Sequence, residues 1–246
     1  VILMVTQDDQ VAINDLLTYL HQELPAVTSI NYVINNKAND TFFDLPVHCY
    51  AGKPALQEQV GSLKLDLGPK SFYQTNSEGA RVLFDLVDSY AAIQPHETVY
   101  DLYTGVGSIA LYLASQAKQV IGIEAVEEAV AYAEHNAALN GITNAAFYAG
   151  DMRHKIDHVL TEASQGPDVL ITDPPREGMH PKVVKAILRA APGRLVYVSC
   201  NPATQARDLE LLQEKYEVVI SQPVDLFPHT YHVENVVLLN RKTEGA

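Results

Sequence analysis

The sequence predicts an α/β chain in which a doubly wound, mostly parallel sheet follows a small α/β module. Three observations carry that reading. From Thr98 onward, short apolar runs alternate with stretches of helical spacing, the pattern of a parallel sheet with helices on both faces. The runs stop at glycines, carboxylates or prolines, the residues expected where strands end at a ligand edge. Near Phe72 the character of the chain changes, which divides it into an accessory module over residues 1–71 and a larger domain over residues 72–246.

In the module, Val1–Val5 is a short apolar strand, and a helix is predicted from about Asp9 to Leu24. Ile13, Leu16, Leu17, Leu20 and Leu24 share one face of it, and Pro25 ends it. Strands are predicted over residues 27–34 and 45–50. Leu56–Leu67 reads as a hairpin turning at Gly61-Ser62. In the domain, a helix runs from about Ser77 to Ala91. Strand Val99–Leu102 leads through a glycine turn to a helix ending near Ser115. Strand Val120–Glu124 precedes a helix that ends at Asn140 with Gly141 as its cap. Strand Ala145–Tyr148 precedes a helix after Asp151. Strand Val169–Thr172 precedes a helix from about Pro181 to Ala190. Leu195–Val198 is a strand, Thr204–Lys215 a helix, and Glu217–Leu226 and Val233–Leu239 are the last strands.

The composition, 47% hydrophobic and 19% charged over 246 residues, suits a globular protein with a sizeable core. No apolar run has the length of a membrane span and no signal peptide is legible, so a cytoplasmic protein is expected. A chain beginning at Val1 is expected to be part of a longer one. Two cysteines, Cys49 and Cys200, make neither a disulfide framework nor a four-cysteine metal site, and no metal is expected. The net charge of −13 argues against a nucleic-acid partner if taken alone, but it is unevenly spread. Residues 1–150 hold 6 basic and 17 acidic side chains, residues 151–246 hold 11 and 13. Lys182, Lys185, Arg189 and Arg194 read as a solvated helix face, with a phosphate-facing patch as the alternative.

Four stretches carry chemistry. Leu195–Val198 is a buried strand that stops at Ser199-Cys200-Asn201-Pro202, so Cys200 is a free thiol at the carboxyl end of a core strand. Asp101-Leu-Tyr-Thr-Gly105-Val-Gly107 follows the first strand of the domain. Its glycines fit a dinucleotide fingerprint, but Asp101 would repel a pyrophosphate and suits a cationic amino group. Glu124, ending the next strand, is placed to accept from ribose hydroxyls; helix capping is the plainer reading of both acids. Asp173-Pro-Pro-Arg176 is a stiff loop at the same edge, and Arg176 stands where an amino-group methylase usually carries an aromatic residue. Asp225–Glu234 holds His229 and His232, which read as hydrogen-bonding residues, and Glu234, a carboxylate opening an apolar strand.

Phe72-Tyr-Gln-Thr-Asn76, Asp101–Gly107, Asp173–Arg176, Ser199–Pro202 and Phe227–Glu234 occur in that order, and together they resemble the RNA uracil-5-methyltransferase family. The resemblance covers about Phe72 to Arg241. It implies the class I S-adenosylmethionine methyltransferase fold, action on a uridine of tRNA or 23S ribosomal RNA, Cys200 as nucleophile and Glu234 as base. It also implies that Gln74, Tyr103, Glu124 and Asp173 line the S-adenosylmethionine site. Many members have cysteine at the Thr104 position and asparagine at the Ser108 position. The family often adds an N-terminal RNA-binding barrel and sometimes an iron–sulfur cluster, neither of which lies in these residues. The chemistry explains the residue types. A thiolate adding to carbon 6 of uracil makes carbon 5 nucleophilic, and a carboxylate then removes the carbon 5 proton. A thiol of pKa about 8.5 needs a site that favours its anion, and nearby N–H donors are expected to supply that. Three alternatives remain open: a cytosine-5 RNA methyltransferase, a nicotinamide-binding protein and a non-catalytic RNA-binding fragment.

Overall fold

The structure, a computed structural model, describes residues 1–152, 156 and 166–243. It comprises two compact units, Val1–Glu58 with Asp66–Phe72, and Gln59–Leu65 with Tyr73–Ala246.

In the first unit β1 (Ile2–Val5) pairs in parallel with β2 (Ser29–Ile34), which pairs antiparallel with β3 (His48–Gly52). Helix α1 (Gln10–Glu23) joins the parallel strands. Asp9 caps it by accepting from the N–H groups of Val11 and Ala12, each at 3.1 Å. Ile13 and Leu17 pack against Ile30. Cys49 is exposed on β3.

Strands β4 (Leu56–Val60) and β5 (Leu63–Leu67) form the predicted hairpin, whose tip belongs to the second unit. There the main chain of Lys64 is bonded in both directions to the Asn140 side chain, at 2.9 and 2.6 Å. The second unit holds a seven-stranded sheet in the order β11-β12-β10-β9-β6-β7-β8. These strands are β6 (Thr98–Leu102), β7 (Gln119–Glu124), β8 (Ala145–Ala149), β9 (Val169–Thr172), β10 (Arg194–Ser199), β11 (Tyr216–Val224) and β12 (Glu234–Arg241). The five from β10 to β8 run parallel, and β12 and β11 are added antiparallel.

The helices of this unit are α2 (Ser77–Ala91), α3 (Ser108–Leu113), α4 (Glu127–Leu139), α5 (Pro181–Ala190) and α6 (Pro202–Leu212). Their starts follow local chemistry. Asn76 caps α2 by accepting from the Gly79 N–H at 3.0 Å. Pro181 and Pro202 occupy first-turn positions that need no N–H. For this reason α6 begins two residues before the expected Thr204. The helix expected after Asp151 lies outside the described residues, apart from Met152 and Ile156, which are buried. The core sits on the central strands, where Tyr100, Leu170, Leu195 and Tyr197 are fully buried. Lys182, Lys185 and Arg189 lie on the exposed side of α5. Arg194 does not join them: its guanidinium pairs with Glu97 at 2.5 Å and its Nε donates to the Ala91 carbonyl at 2.8 Å. No helix among the described residues is long and apolar enough to cross a membrane.

Packing at β7 leaves no room for a side chain at Gly122. A Cβ there would stand 2.5 Å from a ring carbon of Phe147 and 2.9 Å from Thr104. Gly122→Ala should therefore destabilise the unit by roughly 1–3 kcal/mol through overpacking. A urea midpoint equal to the wild type would show that the β7–β8 layer yields.

Candidate active site

The carboxyl edge of the parallel strands carries Asp101, Tyr103, Glu124, Asp173 and Cys200. β6 ends beside Asp101, which is 2% exposed and accepts from the Thr104 hydroxyl at 2.7 Å and from the Ala110 backbone N–H. The chain turns through Tyr103, Gly105 and Gly107, all at positive φ (63°, 56° and 82°). A non-glycine residue in that region stores strain, which is common where a backbone is shaped for a ligand. Glu124, at the end of β7, closes the turn. One carboxylate oxygen accepts from the Gly105 N–H at 3.0 Å, the other from Ala125 and Val126 at 2.7 and 3.0 Å. The plainer reading of Asp101 and Glu124 thus holds in part, since both carboxylates organise the turn.

On the other side of β6, β9 leads into Asp173. β10 leads to Cys200 and β12 starts at Glu234. Ser199 pairs with Asn235 across the antiparallel ladder, so one further step of the same register sets Cys200 opposite Glu234. Gln205 of α6, 1% exposed, clamps the two strands. Its amide donates to the carbonyls of Tyr197 and Asn235 at 2.9 and 3.1 Å and accepts from the Asn235 side chain at 2.6 Å.

The electrostatics of this edge are those of buried acids. Burial lifts the Asp101 carboxyl to about 7 against its hydrogen bonds, with Glu124 adding to the rise. Burial also raises Asp173 well above its ordinary value, helped by the charges of Glu234 and Asp101. Glu234, 3% exposed, is raised by burial and drawn down by Arg176. The Cys200 thiol is pushed up by burial and then by the charges of Glu234 and Asp173, while Arg176 pulls the other way. Tyr103, also raised by burial, feels Glu124.

The β10–β12 register sets Cys200 opposite Glu234, β9 beside β10 ends just before Asp173, and Asp101, Tyr103 and Glu124 lie at the ends of β6 and β7. Gln74, buried two residues before the α2 cap, is not tied to them by a described contact. The Asn76 side chain donates to the Leu226 carbonyl at 3.0 Å, which fixes the start of α2 to the segment leading toward Glu234. His232 lies against the rings of Tyr231 and Phe227, with centroids at 4.2 and 6.4 Å. Among the described residues no group of three histidine, cysteine or carboxylate side chains could hold a metal ion. Sequence reasoning missed Gln205 altogether and treated Arg176 only as the lack of an aromatic residue. Asn-Pro at 201–202, a cap followed by a first-turn proline, was the available signal that α6 starts beside the thiol.

Residues 62–242 match the family model described as tRNA (uracil-5-)-methyltransferase. The chain belongs to that family. Similar proteins include RNA methyltransferases of uncharacterized role from Bacteroides thetaiotaomicron and Porphyromonas gingivalis. The first is 53% identical over 97% of this chain and 53% of its own length, the second 52% identical over 99% and 53%. The chain thus spans about half the length of these relatives. The crystal structure of Pyrococcus abyssi tRNA (uracil-54, C5)-methyltransferase, in complex with S-adenosyl-L-homocysteine, superposes with a TM-score of 0.73. It is 34% identical and the match covers 86% of this chain and 50% of that one. The expected class I S-adenosylmethionine methyltransferase fold is the one found, and in this chain the last two strands form an antiparallel edge of the sheet.

The buried Asp101 makes stability depend on pH. In the folded protein the carboxyl keeps its proton up to about pH 7, whereas the unfolded chain releases it near 3.8. The native state then binds more protons between those values, and its stability falls as pH rises through them. Asp101→Asn removes this titration. Between about pH 4 and about pH 7 the stability difference should move in favour of the variant by up to about 1.4 kcal/mol per pH unit, and level off above. Urea unfolding across that range reads it, and a pH-independent difference would contradict a neutral buried Asp101.

Proposed function

We propose that this chain is the catalytic part of an S-adenosylmethionine-dependent methyltransferase acting on carbon 5 of a uridine in RNA, with Cys200 as nucleophile and Glu234 as base. The observation that carries the proposal is the β10–β12 register, which sets a thiol and a buried carboxyl opposite each other at the edge of the sheet. Family membership and the match to the uracil-5 enzyme of P. abyssi support the reaction type. The domain division at residues 71/72 belongs to the same reading, as does a cytoplasmic location.

The glycine turn fits the cofactor. A Cβ at Gly105 would meet nothing within 4 Å, so the turn faces open space, and Asp101 is a buried carboxyl suited to an ammonium group. Asp101, Tyr103, Gly105, Glu124, Asp173 and Gln74 would hold S-adenosylmethionine. Glu124 spends three of about four acceptor sites on backbone N–H groups, which orients the fourth for a ribose hydroxyl. When bound, the cofactor supplies an electrophilic methyl group to carbon 5.

The chain's own residues do the rest. The Cys200 thiolate adds to carbon 6, forming the S–C6 bond and moving the ring's π electrons toward the carbon 4 carbonyl oxygen. Once carbon 5 is methylated, Glu234 takes its proton, the C5–C6 double bond re-forms and the thiolate leaves. The base must leave its stack to reach this edge. The RNA is a tRNA or 23S rRNA. The family description and the P. abyssi enzyme both name tRNA, which makes unmodified tRNA the first substrate to assay.

Two substitutions separate the roles. Cys200→Ala should abolish methyl transfer and leave no covalent RNA complex. Glu234→Gln keeps the shape but removes the base, so turnover should fall by a factor on the order of 10²–10⁴ while a methylated protein–RNA adduct accumulates. Denaturing gels with a labelled methyl donor read both results. An adduct formed by Cys200→Ala, or normal turnover of Glu234→Gln without a trapped species, would reassign the residue concerned.

A further inference from the structure

We propose that Thr104 is a positioning residue of the cofactor site: its hydroxyl fixes the Asp101 carboxylate for the ammonium group of S-adenosylmethionine and so makes the site select ligands that carry an α-amino group. The proposal rests on the reading of Asp101 as the acceptor of that ammonium and adds the group that orients it.

An aspartate does not orient itself. The torsion that turns its carboxylate is broad and roughly two-fold, so a neighbour must choose the plane. Apart from a backbone N–H, the group that bonds Asp101 is the Thr104 hydroxyl, which donates to Oδ2 at 2.7 Å. A carboxylate has about four acceptor sites, so this bond sets the plane and leaves sites for an incoming ammonium. A hydroxyl on a charged oxygen is also among the stronger hydrogen bonds. Burial raises the proton affinity of Asp101, and the Thr104 bond draws it back toward the charged form. A neutral carboxyl would attract an ammonium weakly, so orientation and charge favour the same ligand. Glu124, bonded to three backbone N–H groups, is an acceptor and has no donor to give Asp101.

Thr104 can orient a neighbour because it is itself held. It lies between Tyr103 and Gly105, the two positive-φ residues that begin the turn. Its N–H donates to the Ile123 carbonyl of β7 at 3.1 Å, and its carbonyl accepts from the Gly107 N–H at 2.9 Å. Its methyl lies over Gly122, so closely that a Cβ on that glycine would stand 2.9 Å from it. A β-branched side chain has few χ1 states, and with the methyl seated on β7 the hydroxyl is turned to Asp101. Thr104 is buried along with its partner, so water does not compete for the bond. The glycine of β7, the threonine of the turn and the aspartate of β6 thus form one supporting layer beneath the cofactor turn, the arrangement that holds a binding group in a productive geometry.

The test is calorimetric binding of two probes to the intact protein, S-adenosylhomocysteine and its analogue lacking only the α-amino group. It reads neither RNA nor turnover. The wild type should bind the first more tightly. Thr104→Val keeps the shape and removes the donor, and should narrow that preference by about tenfold while leaving the affinity for the deaminated analogue unchanged. Thr104→Ser keeps the hydroxyl and should retain the preference. Thr104→Cys, whose S–H is a weak donor, should fall between Thr104→Ser and Thr104→Val. A merely structural role would weaken both probes alike and leave their ratio unmoved. Urea midpoints identify any variant that has lost its fold, and if Thr104→Val has, Thr104→Cys carries the decision. An unchanged preference in the folded variant would overturn the proposal and leave the cofactor site standing. A wild type that binds both probes equally would overturn it together with the role of Asp101, and a wild type that binds neither would sink the cofactor site as a whole. Failure to methylate any RNA would sink the uridine assignment alone, because the binding ratio does not depend on it.

Discussion

β10 ends at Ser199 between β9 on one side and β12 on the other, and that pairing decides which side chains share the edge. The parallel partner brings Asp173 and the antiparallel partner brings Glu234. Side chains alternate along a strand, so a slip of one residue in the β10–β12 ladder would turn Glu234 away from the thiol. Gln205 guards against that slip by bonding main-chain carbonyls of both strands from a fully buried position. The juxtaposition of Cys200 and Glu234 is thus set by a register, and one amide side chain fastens it.

The same geometry has an electrostatic consequence. Asp101, Asp173 and Glu234 all hold their protons to higher pH than a carboxyl in water because burial disfavours their charged forms. For a base that must take a proton at neutral pH, a raised affinity is an advantage up to the point where the group is no longer ionised. Arg176 draws Glu234 and Cys200 the other way, against the rise that burial causes. The net charge of −13 is unevenly spread along the sequence, with 6 basic and 17 acidic side chains in residues 1–150 and 11 and 13 in residues 151–246.

What could be read in advance was local. Pro181, Asn76 and the polar stop after Val198 mark element ends by their own backbone chemistry, and helices α2 and α5 begin and end where their patterns predict. The carboxyl-edge placement of Asp101, Glu124, Asp173 and Cys200 follows from strand ends alone. What could not be read was long-range. The antiparallel insertion of β12 beside β10 is a tertiary choice that places Glu234, and a strand pattern carries no partner label. Arg194 looks like one more solvated cation until the start of β10 meets Glu97 and the end of α2. The Arg176 carbonyl is held by the side chains of Asn201 and Thr204, which lie 25 and 28 residues away in sequence.

The central claim is that this edge methylates carbon 5 of uracil, and the fate of the hydrogen on that carbon tests it directly. Unmodified tRNA and 23S rRNA fragments transcribed with tritium at carbon 5 of uridine would be incubated with the intact protein and S-adenosylmethionine. The account predicts tritium released to water in step with methyl incorporation, dependent on the methyl donor and absent from Cys200→Ala. Methyl incorporation with the tritium retained would contradict it, because the methyl group would then lie on another atom.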